Sequence, residues 1–125
     1  DGVPETLAYL ASRHRMILVT QGESAEQAAK VERSGLQVFF EAIEIVGEKN
    51  LDAYRQLVTK HHVVKSQGWV VGHSARHDIN PALLLGLNAA YVPLATSGNL
   101  DSTELQSGSG KLLLVAKFPD LRDHF

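Results

Sequence analysis

Cysteine is absent from the 125-residue sequence, and long hydrophobic runs are absent as well. Without thiols the chain has no disulfide framework and no thiolate chemistry, which is compatible with a reducing compartment. The longest apolar runs are far shorter than the roughly 20 residues that span a bilayer. The N-terminal residues also lack the charged and then apolar pattern of a signal peptide. We therefore expect a cytoplasmic protein that does not enter a membrane.

An excess of either charge is also missing. Lysine and arginine together number 12 against 14 aspartates and glutamates, so the formal net charge is -2. Such a chain has no excess positive charge that would attract nucleic acid or an anionic membrane, and neither is expected as a partner. The length suits one domain with one core. We expect residues 1–125 to form that domain.

Apolar runs and helical periodicities alternate along the chain. Short continuous apolar runs, typical of strands buried on both faces, predict strands at residues 16–19, 69–71, 89–92 and 112–115. Ile43, Ile45 and Val46 predict a further, weaker strand. Apolar residues at helical spacing and helix-end signals predict helices at residues 4–14, 24–34, 52–60, 80–85 and 118–125. The stretch 95–110 is rich in serine, glycine and threonine and predicts a long surface loop.

Two of the predicted helices carry clear end signals. Ser24 and Gln27 form a capping box, in which each side chain satisfies a backbone N–H at the helix start, and Gly35 ends that helix. Asn80 followed by Pro81 predicts an N-cap with proline at the first helical position, and Gly86 ends that helix.

Regular alternation of strands and helices with short connections predicts an α/β fold. The expected architecture is a three-layer, Rossmann-like parallel sheet with helices on both faces. In open sheets of this kind, ligands bind beyond the carboxyl ends of the strands. The turns that follow Val19, Val46 and Val71 are therefore the places to look for a site.

The first two of these turns carry groups that suit an oxyanion. The first turn offers the hydroxyl of Thr20, the amide of Gln21 and, at Gly22, a backbone that a ligand can approach closely. The N-terminus of the next helix would help these groups to hold an oxyanion. Lys49, in the second turn, would neutralise a phosphoryl group or a nucleophilic carboxylate. The alternative is that the first turn is purely structural and that Lys49 is a solvated surface lysine.

The third turn carries an acid beside a predicted helix start, Asp78. A carboxylate there can hold a hard divalent cation, which prefers oxygen ligands; alternatively it caps the helix or accepts backbone hydrogen bonds. His73 and His77 are four residues apart, a spacing that would place two imidazoles on one face of a helix. Gly72 and the loop-like surroundings argue against a continuous helix, and hence against a metal site made of these two histidines.

Taken together, these residues resemble the motifs of the haloacid dehalogenase-like (HAD) hydrolase superfamily. The apolar strand that ends at Thr20 is similar to its second motif, and Lys49 falls at the lysine of its third. The segment from Gly72 to Asp78 resembles its fourth motif, written G-D-x-x-x-x-D. The resemblance covers nearly the whole chain in the order and spacing of the family.

The resemblance implies the core of a Mg²⁺-dependent phosphatase that acts on a small phosphorylated substrate. It implies roles for six residues: Thr20 and Lys49 in catalysis, Thr20, Gln21, Gly22 and Lys49 in phosphoryl binding, and Asp78 and His73 at the metal. Of these, His73 departs from the family, because it replaces the first acid of the fourth motif. Imidazole suits Zn, Ni or Fe better than Mg²⁺, and the change removes a negative charge.

A second departure concerns the first motif of the family, D-x-D-x-T/V, which is absent from this chain. Its first aspartate is the nucleophile and its second is the general acid and base. The resemblance therefore implies that the leading strand, the nucleophile and the mobile cap would lie before Asp1. A parallel sheet without its leading strand would expose an edge. We expect a homo-oligomer, a partner chain or a preceding segment to cover that edge.

Three functions are compatible with the sequence. The first is a phosphatase whose nucleophile is supplied from outside these residues and forms an aspartyl-phosphate. The second is a catalytically degenerate HAD-like protein that binds a ligand or a partner, which the missing first motif and His73 both favour. The third is an unrelated doubly wound binding module, although the acidic pocket or flavin loop that such a module needs is not apparent.

Overall fold

The computed structural model describes residues 2–93 and 110–125, so the predicted loop at 95–110 lies almost entirely outside the described residues. The helices and strands alternate as α1 (Val3–Ala11), β1 (Ile17–Gln21), α2 (Ser24–Ser34), β2 (Ala42–Val46), α3 (Leu51–Lys60), β3 (Trp69–Gly72), α4 (Asn80–Leu85), β4 (Asn88–Tyr91) and β5 (Leu112–Leu114). Short 3₁₀-helices lie at Leu36–Phe39, Lys65–Gln67 and Phe118–Asp123, and a turn of π-helix lies at Ala75–Ile79. No helix among the described residues has the length and apolar character to cross a membrane.

Backbone pairing in the described ranges is parallel throughout and falls into two sets. In the first, β1 pairs with β2, with Thr20 opposite Ile45. In the second, the order is β3-β4-β5, with Ala89 of β4 opposite Val70 on one side and Leu112 on the other. This pattern confirms the predicted α/β architecture with parallel strands.

The chain divides into two compact units, residues 1–48 with 118–125 and residues 49–117. In the first unit, α1 packs against the C-terminal turn, and the buried side chains there include Leu7, Leu10 and Leu121. Thr6 is also fully buried, and its hydroxyl donates to the Gly2 carbonyl 2.7 Å away. This buried polar group therefore has a hydrogen-bond partner.

The core of the second unit lies between α3, α4 and β4. Its buried cluster comprises Tyr54, Ile79, Ala82, Leu83, Leu85, Leu87 and Ala89. Strand β4 is buried from Asn88 to Ala90, as predicted for a strand covered on both faces. The same prediction is wrong for β1, β3 and β5, where no residue is fully buried, and β2 has no fully buried residue either, because the described residues cover the faces of these strands only in part.

Several apolar side chains of the sheet remain exposed to solvent. Val71 on β3 is 40% exposed and Leu114 on β5 is 70% exposed. The expectation that another segment or chain covers a strand edge stays a prediction.

The start of α2 differs from the predicted capping box. Glu23 is the N-cap, and its carboxylate accepts hydrogen bonds from the backbone N–H groups of Ala25 and Glu26. Ser24 is therefore already inside the helix, and the side chain of Gln27 is released for another contact. The carboxylate of Glu23 bonds two amides where a serine hydroxyl would bond one, which explains the shift by one residue.

The predicted N-cap at Asn80 is also wrong, because helical structure begins earlier. A turn of π-helix runs from Ala75 to Ile79, and the Ser74 hydroxyl caps it by accepting from the His77 N–H. Asn80 consequently has helical backbone angles. Gly35 and Gly86 do end their helices in the left-handed conformation, with φ of 71° and 98°, as glycine permits.

Asn88 links two segments of the second unit that are distant in sequence. Its side chain is buried, donates from Nδ2 to the Ser66 carbonyl at 3.0 Å and accepts at Oδ1 from the Lys111 N–H at 2.9 Å. The amide thereby joins the segment before β3 to the residue before β5. Buried polar groups of this kind are stabilising only while both partners are present.

Replacement of Asn88 with alanine should lower the free energy of unfolding by about 2 kcal/mol, because two backbone groups lose their partner. Urea denaturation measures this loss. Ser66→Ala is the control, since the Ser66 carbonyl belongs to the backbone and keeps its bond to Asn88. Equal stability of the Asn88→Ala and Ser66→Ala variants would contradict this role.

Candidate functional site

Lys49 and Asp78, predicted from two separate turns, are in direct contact. Lys49 directly precedes Asn50, the N-cap of α3, and Asp78 lies in the π-helical turn after β3. The Lys49 Nζ and the Asp78 Oδ1 are 3.0 Å apart. The Asp78 side chain is 4% exposed and that of Lys49 is 21% exposed, so this ion pair is largely withdrawn from water. The two side chains therefore lie in contact, while their role in a site stays a prediction.

The buried carboxylate has two further hydrogen-bond donors. The Tyr54 hydroxyl lies 3.4 Å from Asp78 Oδ1, and the Ser74 N–H donates to Oδ2 at 3.2 Å. Burial, followed by the charge of Asp78 and the hydrogen bond to it, raises the pKa of Tyr54 well above its usual value of 10.0. Tyr54 therefore keeps its one hydrogen at neutral pH, and it shares that hydrogen between the Asp78 carboxylate at 3.4 Å and the His77 carbonyl at 3.3 Å.

The π-helical turn explains how Asp78 points back toward the end of β3. Both the Asp78 N–H and the Ile79 N–H donate to the Ser74 carbonyl, at 3.0 and 3.1 Å. The wider turn places Asp78 over the last residue of β3, Gly72, where an added Cβ would overlap the Asp78 carboxylate. The backbone conformation of Gly72 is one that other residues adopt, so the glycine is required here by space alone.

The histidines of this turn do not gather around Asp78 as a metal centre. His73 is exposed. His77 is half-buried, and its carbonyl lies 3.3 Å from the Tyr54 hydroxyl. In residues 2–93 and 110–125 no group of three or more His, Cys, Asp or Glu side chains could hold a metal ion. Magnesium usually takes one or two protein carboxylates and completes its shell with water and substrate phosphate. Asp78 fits one such ligand, and the remaining ligands would come from outside this set.

The first predicted turn lies in the other unit and forms its own hydrogen-bonded arrangement. Thr20 donates its hydroxyl hydrogen to the Gln27 Oε1 at 2.8 Å. Gly22 donates its N–H to the Val46 carbonyl at 3.0 Å and has a φ of 146°, which favours glycine. The side chain of Gln21 is exposed. The N-terminus of α2 was expected to help hold an anion, but two of its N–H groups already donate to Glu23.

Sequence reasoning missed three residues of these two turns. Tyr54 was predicted only as part of the helix at residues 52–60, Gly72 was assigned to a motif, and Gln27 was assigned to a helix cap. The spacing of five residues between Lys49 and Tyr54 is a usable signal, because it places Lys49 just before the N-cap and Tyr54 in the first turn of the same helix. For Gln27 the signal was the acidic residue just before Ser24, which competes for the cap.

A Gly72→Ala substitution should destabilise the protein by about 1–3 kcal/mol and separate Lys49 from Asp78, because the new methyl overlaps the carboxylate. Denaturant unfolding and a crystal structure of the variant measure the two effects. In the Asp78→Gly background the same substitution should lower the free energy of unfolding much less, since the Asp78 side-chain atoms that the new methyl overlaps are absent.

Gly47→Ala is the matched control, because no atom lies within 4 Å of the added Cβ. It should be neutral or stabilising by a few tenths of a kcal/mol through the unfolded state. If Gly72→Ala were as well tolerated as Gly47→Ala, the close approach of Gly72 and Asp78 would be disproved.

Comparison with solved structures gives several matches to this fold. A haloacid dehalogenase-like family hydrolase from Xanthomonas campestris matches with a TM-score of 0.81 and 26% identity, over 98% of this chain and 51% of that one. A HAD-hydrolase from Bacillus subtilis, bound to magnesium, matches with a TM-score of 0.78 and 19% identity, over 99% of this chain and 54% of that one.

A HAD phosphatase from Thermococcus onnurineus matches with a TM-score of 0.74 and 18% identity, over 96% of this chain and 54% of that one. The chain thus spans about half the length of these three proteins. No protein-family model matches the sequence, and no curated protein matches it. Over nearly its whole length, the chain has the fold of the haloacid dehalogenase-like hydrolases and resembles that superfamily.

Proposed function

We propose that this chain is part of the core of an HAD-like phosphohydrolase whose nucleophilic carboxylate comes from outside these 125 residues. The observation that carries the proposal is the contact of 3.0 Å between Lys49 and the buried Asp78. Two residues named from motif resemblance, 29 positions apart, meet as an ion pair.

Stability alone is a poor explanation for that pair. The desolvation of two charges offsets much of their attraction, and well-packed apolar residues of similar volume are often as stabilising. Three donors from separate positions, Lys49, Tyr54 and Ser74, nevertheless converge on one carboxylate. A carboxylate held this firmly suits a role in which its position matters, such as one ligand of a divalent cation.

The proposed reaction proceeds in two steps. A carboxylate oxygen attacks phosphorus, the bond from phosphorus to the leaving oxygen breaks, and the leaving group takes a proton from a general acid. Water then attacks the phosphorus of the aspartyl-phosphate and gives a proton to a general base, the bond from phosphorus to the carboxylate oxygen breaks, inorganic phosphate leaves and the free carboxylate is regenerated. Thr20 and Lys49 would bind the phosphoryl oxygens, with Gln21 and Gly22 lining the same turn as Thr20.

Magnesium, when bound, would supply positive charge to the phosphoryl oxygens, and Asp78 would be one of its ligands. The magnesium in the Bacillus subtilis protein supports that choice of metal. Lys49 would contribute in two ways, by balancing the charge of Asp78 and by neutralising negative charge on the substrate. Its partial exposure, 21%, is compatible with both contacts.

The degenerate, ligand-binding alternative is favoured by the missing first motif and by His73. In the family pattern an acid stands at this position, and an exposed imidazole offers Mg²⁺ neither an oxygen nor a negative charge. Under this alternative the fold and the Lys49–Asp78 pair persist without catalysis.

The 125-residue chain alone should not hydrolyse p-nitrophenyl phosphate, because it contains no first motif. The intact gene product that includes these residues should hydrolyse it with Mg²⁺. Asp78→Asn should lower that rate by about 100-fold or more, because it removes a charged group at the reacting centre.

Asp52→Asn is the control for that experiment, since its carboxylate is 69% exposed and lies on the surface of α3. It should leave the rate unchanged. Turnover by the isolated chain that Asp78→Asn abolishes would refute the need for an outside nucleophile. No turnover by the intact protein would favour the degenerate alternative.

His73→Asp should tighten Mg²⁺ binding by about tenfold, because it adds an oxygen ligand and one negative charge to the turn that holds Asp78. Isothermal titration of the wild type, His73→Asp and Asp78→Asn with Mg²⁺ and Zn²⁺ measures this. Asp78→Asn should weaken Mg²⁺ binding in either background. Equal or weaker Mg²⁺ binding by His73→Asp would show that this turn does not hold the metal.

A further inference from the structure

The Thr20 hydroxyl is already committed to a partner inside its own unit. It donates its one hydrogen to Gln27 Oε1, 2.8 Å away. A hydroxyl group carries one hydrogen and two lone pairs, so in this state Thr20 presents only lone pairs to any other group. A phosphoryl oxygen is also an acceptor. Thr20 therefore cannot donate to a phosphoryl group while it donates to Gln27.

The amide of Gln27 resolves this conflict without breaking the contact. Its oxygen and nitrogen are nearly the same size, and a half-turn about the last side-chain bond exchanges them. With Nε2 facing Thr20, Gln27 becomes the donor, the Thr20 oxygen accepts, and the hydroxyl hydrogen is released for an anion. The same two residues can thus hold each other in both states.

Gly22 supplies independent evidence that the amide belongs over this turn. A Cβ at Gly22 would lie 2.6 Å from Gln27 Nε2 and 2.9 Å from its Cδ. The turn thus approaches the amide more closely than any side chain at this position would allow. Gln27 is also released from helix capping, because Glu23 occupies the N-cap.

We infer that Gln27 is a positioning residue for Thr20, and that its amide turns over to redirect the Thr20 hydroxyl toward a bound phosphoryl oxygen. The inference rests on the proposed function, since it presupposes that Thr20 binds that oxygen. The ligand class is a phosphoryl group or another tetrahedral oxyanion. Gly22 leaves the space in which the amide turns.

The test is an NMR titration of the isotope-labelled 125-residue chain with inorganic phosphate, followed at the backbone amides of Thr20 and Gly22. Gln27→Glu is the informative variant, because a carboxylate accepts the Thr20 hydrogen as Gln27 does but has no N–H to offer in return. The fold and the Thr20 contact should persist, while phosphate binding should weaken by about tenfold or more.

Ala28→Glu is the matched control, since it adds the same charge at the next, exposed position of α2. Gln27→Glu should lower the phosphate affinity about tenfold more than Ala28→Glu does. Because both variants add one negative charge, the difference measures the effect of hydrogen-bond direction apart from charge repulsion. A second measurement follows the Gln27 side-chain NH₂ resonances. Phosphate should shift them in the wild type and leave them in place in Thr20→Val.

The outcomes separate this inference from the proposed function. Equal phosphate binding by the wild type and Thr20→Val, or none by the wild type, would remove the role of Thr20 and the inference with it. If Thr20→Val weakens binding while Gln27→Glu behaves like Ala28→Glu, the inference alone is overturned. Unmoved Gln27 NH₂ resonances in a wild type that binds phosphate would overturn it as well.

Discussion

Burial of the Asp78 carboxylate is the constraint on which the arrangement of the second unit depends. The residue is 3% exposed, and a charge so far from water requires both a counter-charge and hydrogen bonds. Lys49 supplies the first, and Tyr54 with the Ser74 N–H supplies the second. These donors lie before α3, within α3 and after β3, so the carboxylate fixes the position of α3 relative to the end of β3.

The same constraint accounts for local features that carry no chemistry themselves. A regular α-helical start at Asn80 would leave Asp78 in the loop before it, whereas the π-helical turn brings Asp78 against the end of β3. That approach is sterically open because position 72 is glycine. Turns of π-helix are uncommon and recur at functional sites, and here the turn has an identifiable structural consequence.

The first turn follows a different principle, in which hydrogen-bond direction matters more than charge. Thr20 has one hydrogen, and the structure assigns it to Gln27. The N-terminus of α2 is occupied by Glu23, so the positive end of that helix is already partly neutralised. Hydroxyl and amide chemistry, rather than the helix dipole, therefore governs what this turn can bind.

Helix ends show where sequence reasoning succeeds and where it fails. Gly35 and Gly86 were predicted correctly because a left-handed residue at a helix end nearly always requires glycine. Ser24 and Asn80 are good N-cap residues, and both predictions were wrong because a neighbour competed, Glu23 in one case and Ser74 in the other. Capping preferences differ by less than the contacts that decide between adjacent candidates.

The sequence by itself determined the order of strands and helices and the parallel α/β class, and it singled out Thr20, Lys49 and Asp78 as candidates. Periodicity and glycine placement act over a few residues, so they can be read from neighbouring letters. Only the tertiary structure decided which side chains meet: Tyr54 with Asp78, Gln27 with Thr20, and Gly72 beneath a carboxylate. Such contacts depend on packing between elements distant in the chain or on competition for a single donor, and no local pattern encodes either.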